Sequence, residues 1–233
     1  MSYSVPTDYI NFEEPINCGD RHVACVLLVD TSGSMRGNRI AEVNQGLAAF
    51  GQALQADSMA SGAADVSIIT FNNTVQTITP FSPAQYYEAP VLKADGLTAM
   101  NQAILAGLDA LEQRKKQYRD LAVSYYRPWM FLLTDGLPTD TDYEKIAKEK
   151  LRVALQDHKL NFFPMAIGDA NIDILRSYTA DGRGGVLRAT SENFREAFCW
   201  VSSSLSVVSN SQDAGSGGPI KGPDVGDFGM VWL

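Results

Sequence analysis

Three short polar patches contain the residues of this sequence that could do chemistry. They are Asp30–Met35 (DTSGSM), Asp95–Ala99 (DGLTA) and Leu133–Gly136 (LTDG). The candidate ligands in them are the carboxylates and hydroxyls of Asp30, Ser32, Ser34, Thr98 and Asp135. Oxygen ligands without Cys or His favour Mg²⁺, with Mn²⁺ or Ca²⁺ as alternatives, over zinc or copper. The pattern therefore predicts a divalent cation site.

The charge of this ligand set indicates what the site would bind. Only Asp30 and Asp135 are charged, so together they offset the two charges of a divalent cation without overcompensating them. A cation held in this way stays electrophilic and can accept one more carboxylate from outside. We therefore expect a protein partner to supply a Glu or Asp side chain.

Two strongly apolar segments predict the strands that position the carboxylates. His22–Val29 (HVACVLLV) and Trp129–Thr134 (WMFLLT) are nearly continuous apolar runs, and each is followed directly by an Asp. Such runs are typical of strands buried on both faces of a parallel sheet. If the two strands are neighbours, about 4.8 Å apart, both carboxylates enter one crevice at the carboxyl ends of the strands.

The rest of the chain alternates between helical and extended patterns. Helices are predicted at Asn38–Asp57, with Asn38 as N-cap, and at Thr98–Arg114, Tyr143–Gln156, Ile172–Tyr178 and Glu192–Val208. Further strands are predicted at Asp65–Phe71 and Thr74–Thr79 as a hairpin, at Leu160–Ile167, and at Gly185–Arg188 as an edge strand. This order predicts a doubly wound α/β domain with a mostly parallel sheet, helices on both faces and one antiparallel hairpin strand.

The domain is expected to span residues 20–208, between an N-terminal extension (1–19) and a flexible tail (209–233) rich in Gly, Ser and Pro. The tail closes with the apolar cluster Phe228–Leu233. Two interpretations of this cluster remain open: a terminal strand that folds back on its own domain, or a short peptide that docks on a partner.

Composition narrows the classes of function. The chain has 233 residues and a net charge of −8, which argues against generic nucleic-acid binding because phosphate neutralisation needs a basic excess. Its three cysteines show no CxxC spacing, and its two histidines are far apart, so neither a disulfide framework nor a zinc site is indicated. No signal peptide or membrane-spanning run is visible, which predicts a cytoplasmic protein.

The D-x-S-x-S pattern at Asp30–Ser34, the Thr at position 98 and the T-D-G at Thr134–Gly136 resemble the von Willebrand factor A domain family. The resemblance covers about residues 20–208 and implies a metal-ion-dependent adhesion site for Mg²⁺. The runs Leu132–Asp140 (LLTDGLPTD) and Phe198–Leu205 are most similar to stand-alone bacterial TerY-like proteins. That similarity implies a tellurium-resistance or stress system, with a protein kinase and a PP2C-type phosphatase as candidate partners.

The resemblance also implies a role for each site residue. Ser32 and Ser34 would coordinate the ion directly, and Thr98 would do so when a partner is bound. Asp30 and Asp135 would bind the ion or orient its waters. Leu97 stands where many relatives have a second Gly, which is expected to stiffen the Thr98 loop. Rim residues that would contact a partner are Met35, Arg36, Leu137 and Pro138.

Two other functions are alternatives to a non-enzymatic interaction module. In a Mg²⁺-dependent phosphohydrolase, Asp30 would be the nucleophile. A haloacid-dehalogenase-like site would need a second Asp at position 32, where this sequence has Ser, and no Walker A or G-x-S-x-G motif occurs. An RNA-binding scaffold would use Arg114, Lys115, Lys116 and Arg119, with nearby tyrosines for stacking. We expect that basic run to be solvated at a helix end.

Overall fold

The computed structural model describes residues 21–56, 58–179 and 185–189. Within these ranges one sheet has the strand order β3-β2-β1-β4-β5-β6. The strands are β1 (Val23–Asp30), β2 (Ala64–Phe71), β3 (Val75–Pro83), β4 (Trp129–Thr134), β5 (Asn161–Ile167) and β6 (Leu187–Ala189). Every neighbouring pair is parallel except β2 and β3, which confirms the predicted sheet and its antiparallel hairpin.

Helices cover both faces of this sheet, as the alternating pattern predicts. They are α1 (Asn38–Ala56), α2 (Ser58–Ala63), α3 (Met100–Asp120), α4 (Glu144–Gln156) and α5 (Ile172–Arg176). Alternate residues of β1 point to opposite faces, so Leu27 and Val29 pack with the apolar side of α1, whereas Val26 and Leu28 pack with α3 and α4. The result is one sheet between two apolar layers.

The two most apolar strands are the central neighbours. Every residue of β1 and β4 is buried, and their register pairs Cys25 with Trp129 and Val29 with Leu133. The strand order reverses here, because β2 and β3 lie on one side of β1 while β5 and β6 lie beyond β4. Asp30 and Asp135 therefore leave the sheet side by side at the switch point where open α/β sheets bind ligands.

Several helix boundaries differ from the predicted ones. Helix α1 begins at Asn38 itself, so the residue before it is Gly37 with φ +80°, and Asn38 is not the N-cap. Helix α3 begins at Met100 rather than Thr98, because Thr98 is held in a loop by backbone hydrogen bonds. It continues to Asp120 rather than Arg114, because Tyr118 on its last turns is still buried.

The other differences between the predicted and the observed elements are small. The single residue His22 forms an isolated bridge with Tyr125 instead of opening β1. The short helix α2 was not predicted. The predicted helix Glu192–Val208, the extension 1–19 and the tail 209–233 lie outside the described residues.

A buried polar network closes the amino end of the sheet. Asp65, at the start of β2, accepts a hydrogen bond from the Tyr118 hydroxyl, and its Oδ2 lies 2.8 Å from Arg114 Nη2 and 3.0 Å from His22 Nδ1. All four residues are buried. Burial alone would raise the pKa of Asp65, but the hydrogen bond from His22 and the charge of Arg114 together lower it. The carboxylate is therefore ionised and neutralised locally.

This network corrects the expectation for the basic run. Arg114 and Lys115 are buried on the face of α3 rather than solvated at a helix end, and only Lys116 and Arg119 of the run are exposed. The physical reason is that Arg114 is the counter-ion of Asp65, with its guanidinium carbon 5.1 Å from the centre of the Tyr118 ring. Because Arg114 and Lys115 are buried, only half of the basic run is available to bind a phosphate backbone.

A candidate metal centre at the carboxyl end of the sheet

The buried carboxylate of Asp30 forms the base of the site. It ends β1 and has no exposed surface. Its Oδ1 accepts a hydrogen bond from Ser32 N at 2.8 Å, and its Oδ2 accepts one from the Thr134 hydroxyl. Burial raises the pKa of Asp30, although the hydrogen bonds from Thr134 and Ser32 oppose this effect. A carboxyl group in this position gains from a nearby cation, which would favour its charged form.

Ser32, Ser34 and Asp135 form a chain of hydrogen bonds beside Asp30. The Ser34 hydroxyl donates to Asp135 Oδ1 at 2.7 Å and lies 3.0 Å from the Ser32 hydroxyl. The Asp135 side chain is 1% exposed, so its carboxylate faces the site rather than solvent. The short 3₁₀ turn Gly33–Met35 directs both serine hydroxyls to the same side.

Gly136, in the loop after β4, lies where oxygens from the two other site loops converge. A Cβ atom built at this glycine would lie 3.6 Å from Ser34 Oγ, 3.6 Å from Thr98 Oγ1 and 3.8 Å from Asp30 Oδ2. Any side chain at position 136 would stand among these oxygens, so glycine leaves the space between them open. The structure thus brings together the five residues that the sequence singled out.

The donor set fits a hard divalent cation. Within the described residues, no group of three or more His, Cys, Asp or Glu side chains could hold a metal. The candidate centre instead combines two carboxylates with three hydroxyls, all of which are oxygen donors suited to Mg²⁺, Mn²⁺ or Ca²⁺. It offers no soft ligand that would favour zinc or copper.

The loop that carries Thr98 is fixed by the loops on both sides. Gly33 N donates to Gly96 O at 2.9 Å, and Leu97 N donates to Asn73 Oδ1 at 2.8 Å. Thr98 N donates to Thr139 Oγ1 at 3.0 Å, and Thr139 N donates back to Thr98 O at 2.9 Å. These hydrogen bonds of the loop backbone position the Thr98 hydroxyl.

Asp140 fixes the start of α3 behind this loop. Its Oδ1 accepts from Asn101 N at 3.2 Å and its Oδ2 from Gln102 N at 2.8 Å. These two amides belong to the first turn of the helix, where no intrahelical acceptor exists. The loop after β4 thus caps α3 and holds two of the three site loops in register.

Sequence reasoning missed Thr134 and Arg39. Thr134 donates to Asp30, and its position in the T-D-G run was a usable signal. Arg39 Nη1 donates to Asp135 Oδ2 at 2.6 Å. Its only signal was a position five residues after Ser34 in the first turn of a predicted helix, which does not by itself indicate a contact with residue 135.

The predicted rim is confirmed in part. Arg36 and Leu137 are exposed beside the site, and Pro138 is half-buried. Met35 is completely buried and packs in the core on the α1 face, so its assignment to the rim was wrong. The physical reason is the 3₁₀ turn, which presents Ser34 to the site and rotates the next side chain inward. Leu97, which is 60% exposed, adds a further apolar contact surface.

Comparisons with known proteins agree with this fold. The sequence model of the von Willebrand factor type A domain matches residues 25–198, which is most of the chain. The chain therefore belongs to the von Willebrand factor type A domain family, whose members commonly mediate protein–protein interaction or adhesion.

Individual relatives are distant. Human inter-alpha-trypsin inhibitor heavy chain H6 is 27% identical over 189 residues, which are 76% of this chain but only 14% of that protein. The von Willebrand factor domain of the type V pili tip protein Mfa5 from Porphyromonas gingivalis superposes with a TM-score of 0.60 at 10% identity, over 84% of this chain and 99% of that one. The pilus adhesin SpaC from Lactobacillus rhamnosus GG gives 0.60 at 14% identity, over 82% and 31%. The solved structures thus support the fold alone.

None of the helices in the described part of the chain is both long and apolar enough to cross a lipid bilayer.

Proposed function

We propose that this chain is a non-enzymatic interaction module that binds a Glu or Asp side chain of a partner protein through Mg²⁺. The convergence of Ser34, Thr98 and Asp30 oxygens around Gly136 carries the proposal. It brings donors from the loop after β1 and from the loop before α3 to the loop after β4, which supplies Asp135, as a cation site requires. Helix capping would use each of these residues separately.

Each residue of the site has a separate task in this proposal. Ser32 and Ser34 present neutral hydroxyls on a fixed turn, and Thr98 presents a third from a loop that its neighbours hold. Asp30 and Asp135 supply the negative charge. A bound divalent cation would supply a Lewis acid for the oxygen of an incoming carboxylate. Arg36, Leu97 and Leu137 surround the site and would contact the rest of the partner.

Metal binding is the first test. Titration of Mn²⁺ followed by electron paramagnetic resonance, with competition by Mg²⁺, should give about one site per chain. Asp30→Asn should weaken it greatly, because the buried carboxylate is one of two charged ligands. Asp142→Asn is the control, since Asp142 is an exposed acid in the 3₁₀ turn that follows the loop of Asp135. Equal affinities in wild type and Asp30→Asn would refute the proposal.

Partner binding is the second test. A partner captured by the wild-type protein should be lost in EDTA and in Ser32→Ala/Ser34→Ala. Following the TerY-like resemblance, we propose a cytoplasmic bacterial stress or tellurium-resistance system, with a protein kinase and a PP2C-type phosphatase as the first candidates. Capture that is insensitive to EDTA and to both substitutions would place the binding surface elsewhere.

An assay of phosphate-ester hydrolysis with Mg²⁺ separates this proposal from the phosphohydrolase alternative. Turnover that disappears in Asp30→Asn would contradict the non-enzymatic assignment. The RNA-binding alternative has lost support, because two of its four basic residues are buried in the core.

A further inference from the structure

Arg39 connects two of the loops at the candidate metal centre with the loop after β5. Its Nη1 donates to Asp135 Oδ2 at 2.6 Å and to the carbonyl of Ser34 at 3.3 Å. Its Nη2 lies 3.5 Å from Asp169 Oδ2 in the loop after β5. The side chain is 35% exposed, so the guanidinium is partly removed from solvent. A cation of the protein therefore already occupies one oxygen of a candidate metal ligand.

The guanidinium position is also fixed by packing. Gly168, with φ +57°, places its backbone against Arg39, and a Cβ atom there would lie 3.0 Å from Arg39 Nε. The carbonyl of Gly168 is held in turn by Arg188 Nη1 at 3.0 Å. A larger residue at position 168 would displace Arg39, so this loop accommodates the arginine at that place.

The two oxygens of Asp135 are divided between two tasks. Oδ1 accepts a hydrogen bond from the hydroxyl of Ser34, another candidate ligand, whereas Oδ2 accepts one from Arg39. The negative charge of Asp135 is thus largely compensated before any metal arrives. A divalent cation, the two carboxylates of Asp30 and Asp135, and Arg39 together leave one net positive charge, and a partner carboxylate neutralises it. The Asp169 carboxylate is 98% exposed, so solvent screens most of its charge from the site.

We propose that Arg39 is a built-in counter-cation that weakens the binding of a divalent cation at this centre and strengthens the binding of the partner's carboxylate. The inference rests on the proposed function. Its physical basis is that a positive charge next to Asp135 repels an incoming cation and attracts an incoming anion. Arg39 makes metal binding and partner binding depend on each other, because the loaded site is neutral only with both.

The test uses Mn²⁺ as the metal probe and acetate as the carboxylate probe. Mn²⁺ affinity is measured by electron paramagnetic resonance, and acetate binding to the loaded protein by the loss of water-proton relaxation enhancement. Arg39→Gln should bind Mn²⁺ about tenfold more tightly and acetate several-fold more weakly. Arg39→Lys, which retains the charge, should stay near wild type in both. Arg176→Gln is the control, since Arg176 is 30% exposed, much like Arg39, and pairs with Asp173 away from the site.

Opposite changes in the two affinities distinguish a counter-cation from a structural support. If Arg39 merely positioned Asp135, Arg39→Gln would weaken both, and the inference would be overturned, as it would be by unchanged affinities. Asp30→Asn separates the two proposals. If Asp30→Asn abolishes Mn²⁺ binding while Arg39→Gln has no effect, only the role of Arg39 fails. If Asp30→Asn binds like wild type, or if no variant binds Mn²⁺, the metal centre itself fails.

Discussion

The buried contact between Asp65 and Arg114 gives the most informative prediction about folding. The substitution Asp65→Asn keeps the size of the side chain and removes its charge. Arg114, 1% exposed, would then face a neutral acceptor. His22 and Tyr118, which both contact Asp65 Oδ2, would lose a charged acceptor.

The expected loss follows from the burial of both partners. Removing one member of a buried ion pair costs about 3–5 kcal/mol, because the other charge stays in the core without compensation. Asn retains one acceptor oxygen, so the lower part of that range, about 3–4 kcal/mol, is expected for Asp65→Asn. In a domain of this size that lowers the melting temperature by roughly 6–16 °C.

Urea unfolding followed by far-ultraviolet circular dichroism gives the free energy of unfolding of each variant. The series also includes Asp65→Leu, Arg114→Met and their double variant. The double variant should be more stable than the sum of the two single losses implies, since it leaves no unpaired charge. Glu149→Gln is the control, because Glu149 pairs with Arg152 on the surface, and no change in the midpoint is expected. If the losses of Asp65→Leu and Arg114→Met add in the double variant, the two side chains do not form a stabilising buried ion pair. A loss below about 1 kcal/mol for Asp65→Asn would contradict such an ion pair as well.

Four further outcomes are expected. The pKa of Asp65 lies below its ordinary value of 3.8, so its contribution to stability is present above that pH and is lost as the pH falls below it. The free energy of unfolding of Asp65→Asn should therefore fall less steeply with decreasing pH than that of wild type. Asp140→Ala should cost about 1–2 kcal/mol in urea unfolding, because α3 loses its capping carboxylate. Gly51→Ala should cost about 1–3 kcal/mol, since its Cβ would lie 2.4 Å from the Tyr87 ring, and Tyr87→Leu should recover part of the loss. Mg²⁺ should raise the melting temperature of wild type and leave that of Asp30→Asn unchanged.

The sheet and the ligand set were accessible from sequence because both depend on local patterns. The runs that became β1 and β4 are short and nearly free of polar residues, so their burial and central position followed from composition. The candidate ligands were identifiable because each polar patch directly follows a strand or precedes a helix. Element order then brought the patches to one edge of the sheet.

The remaining contacts depend on residues far apart in the chain. Arg39 meets Asp135 across 96 positions and Arg114 meets Asp65 across 49, and neither arginine stands out on its own helix. Only the tertiary structure shows that Arg114 is buried and that Arg39 contacts the candidate metal centre. The inward side chain of Met35 was equally hidden, because the direction of one residue in a 3₁₀ turn depends on the turn itself.

The two charged clusters occupy opposite ends of the same central strands, which has a consequence for how this protein can vary. Asp65 lies beside Ala24 at the start of β1, and Asp30 lies six residues further along that strand. At the rise of a parallel strand this is about 20 Å, well beyond the roughly 7–10 Å past which substitutions without shared partners usually add. Substitutions at one end should therefore add to those at the other without interaction. Under the proposed function, the exposed residues around Asp30 could therefore be substituted to change partner recognition without a loss of stability at the other end of the sheet.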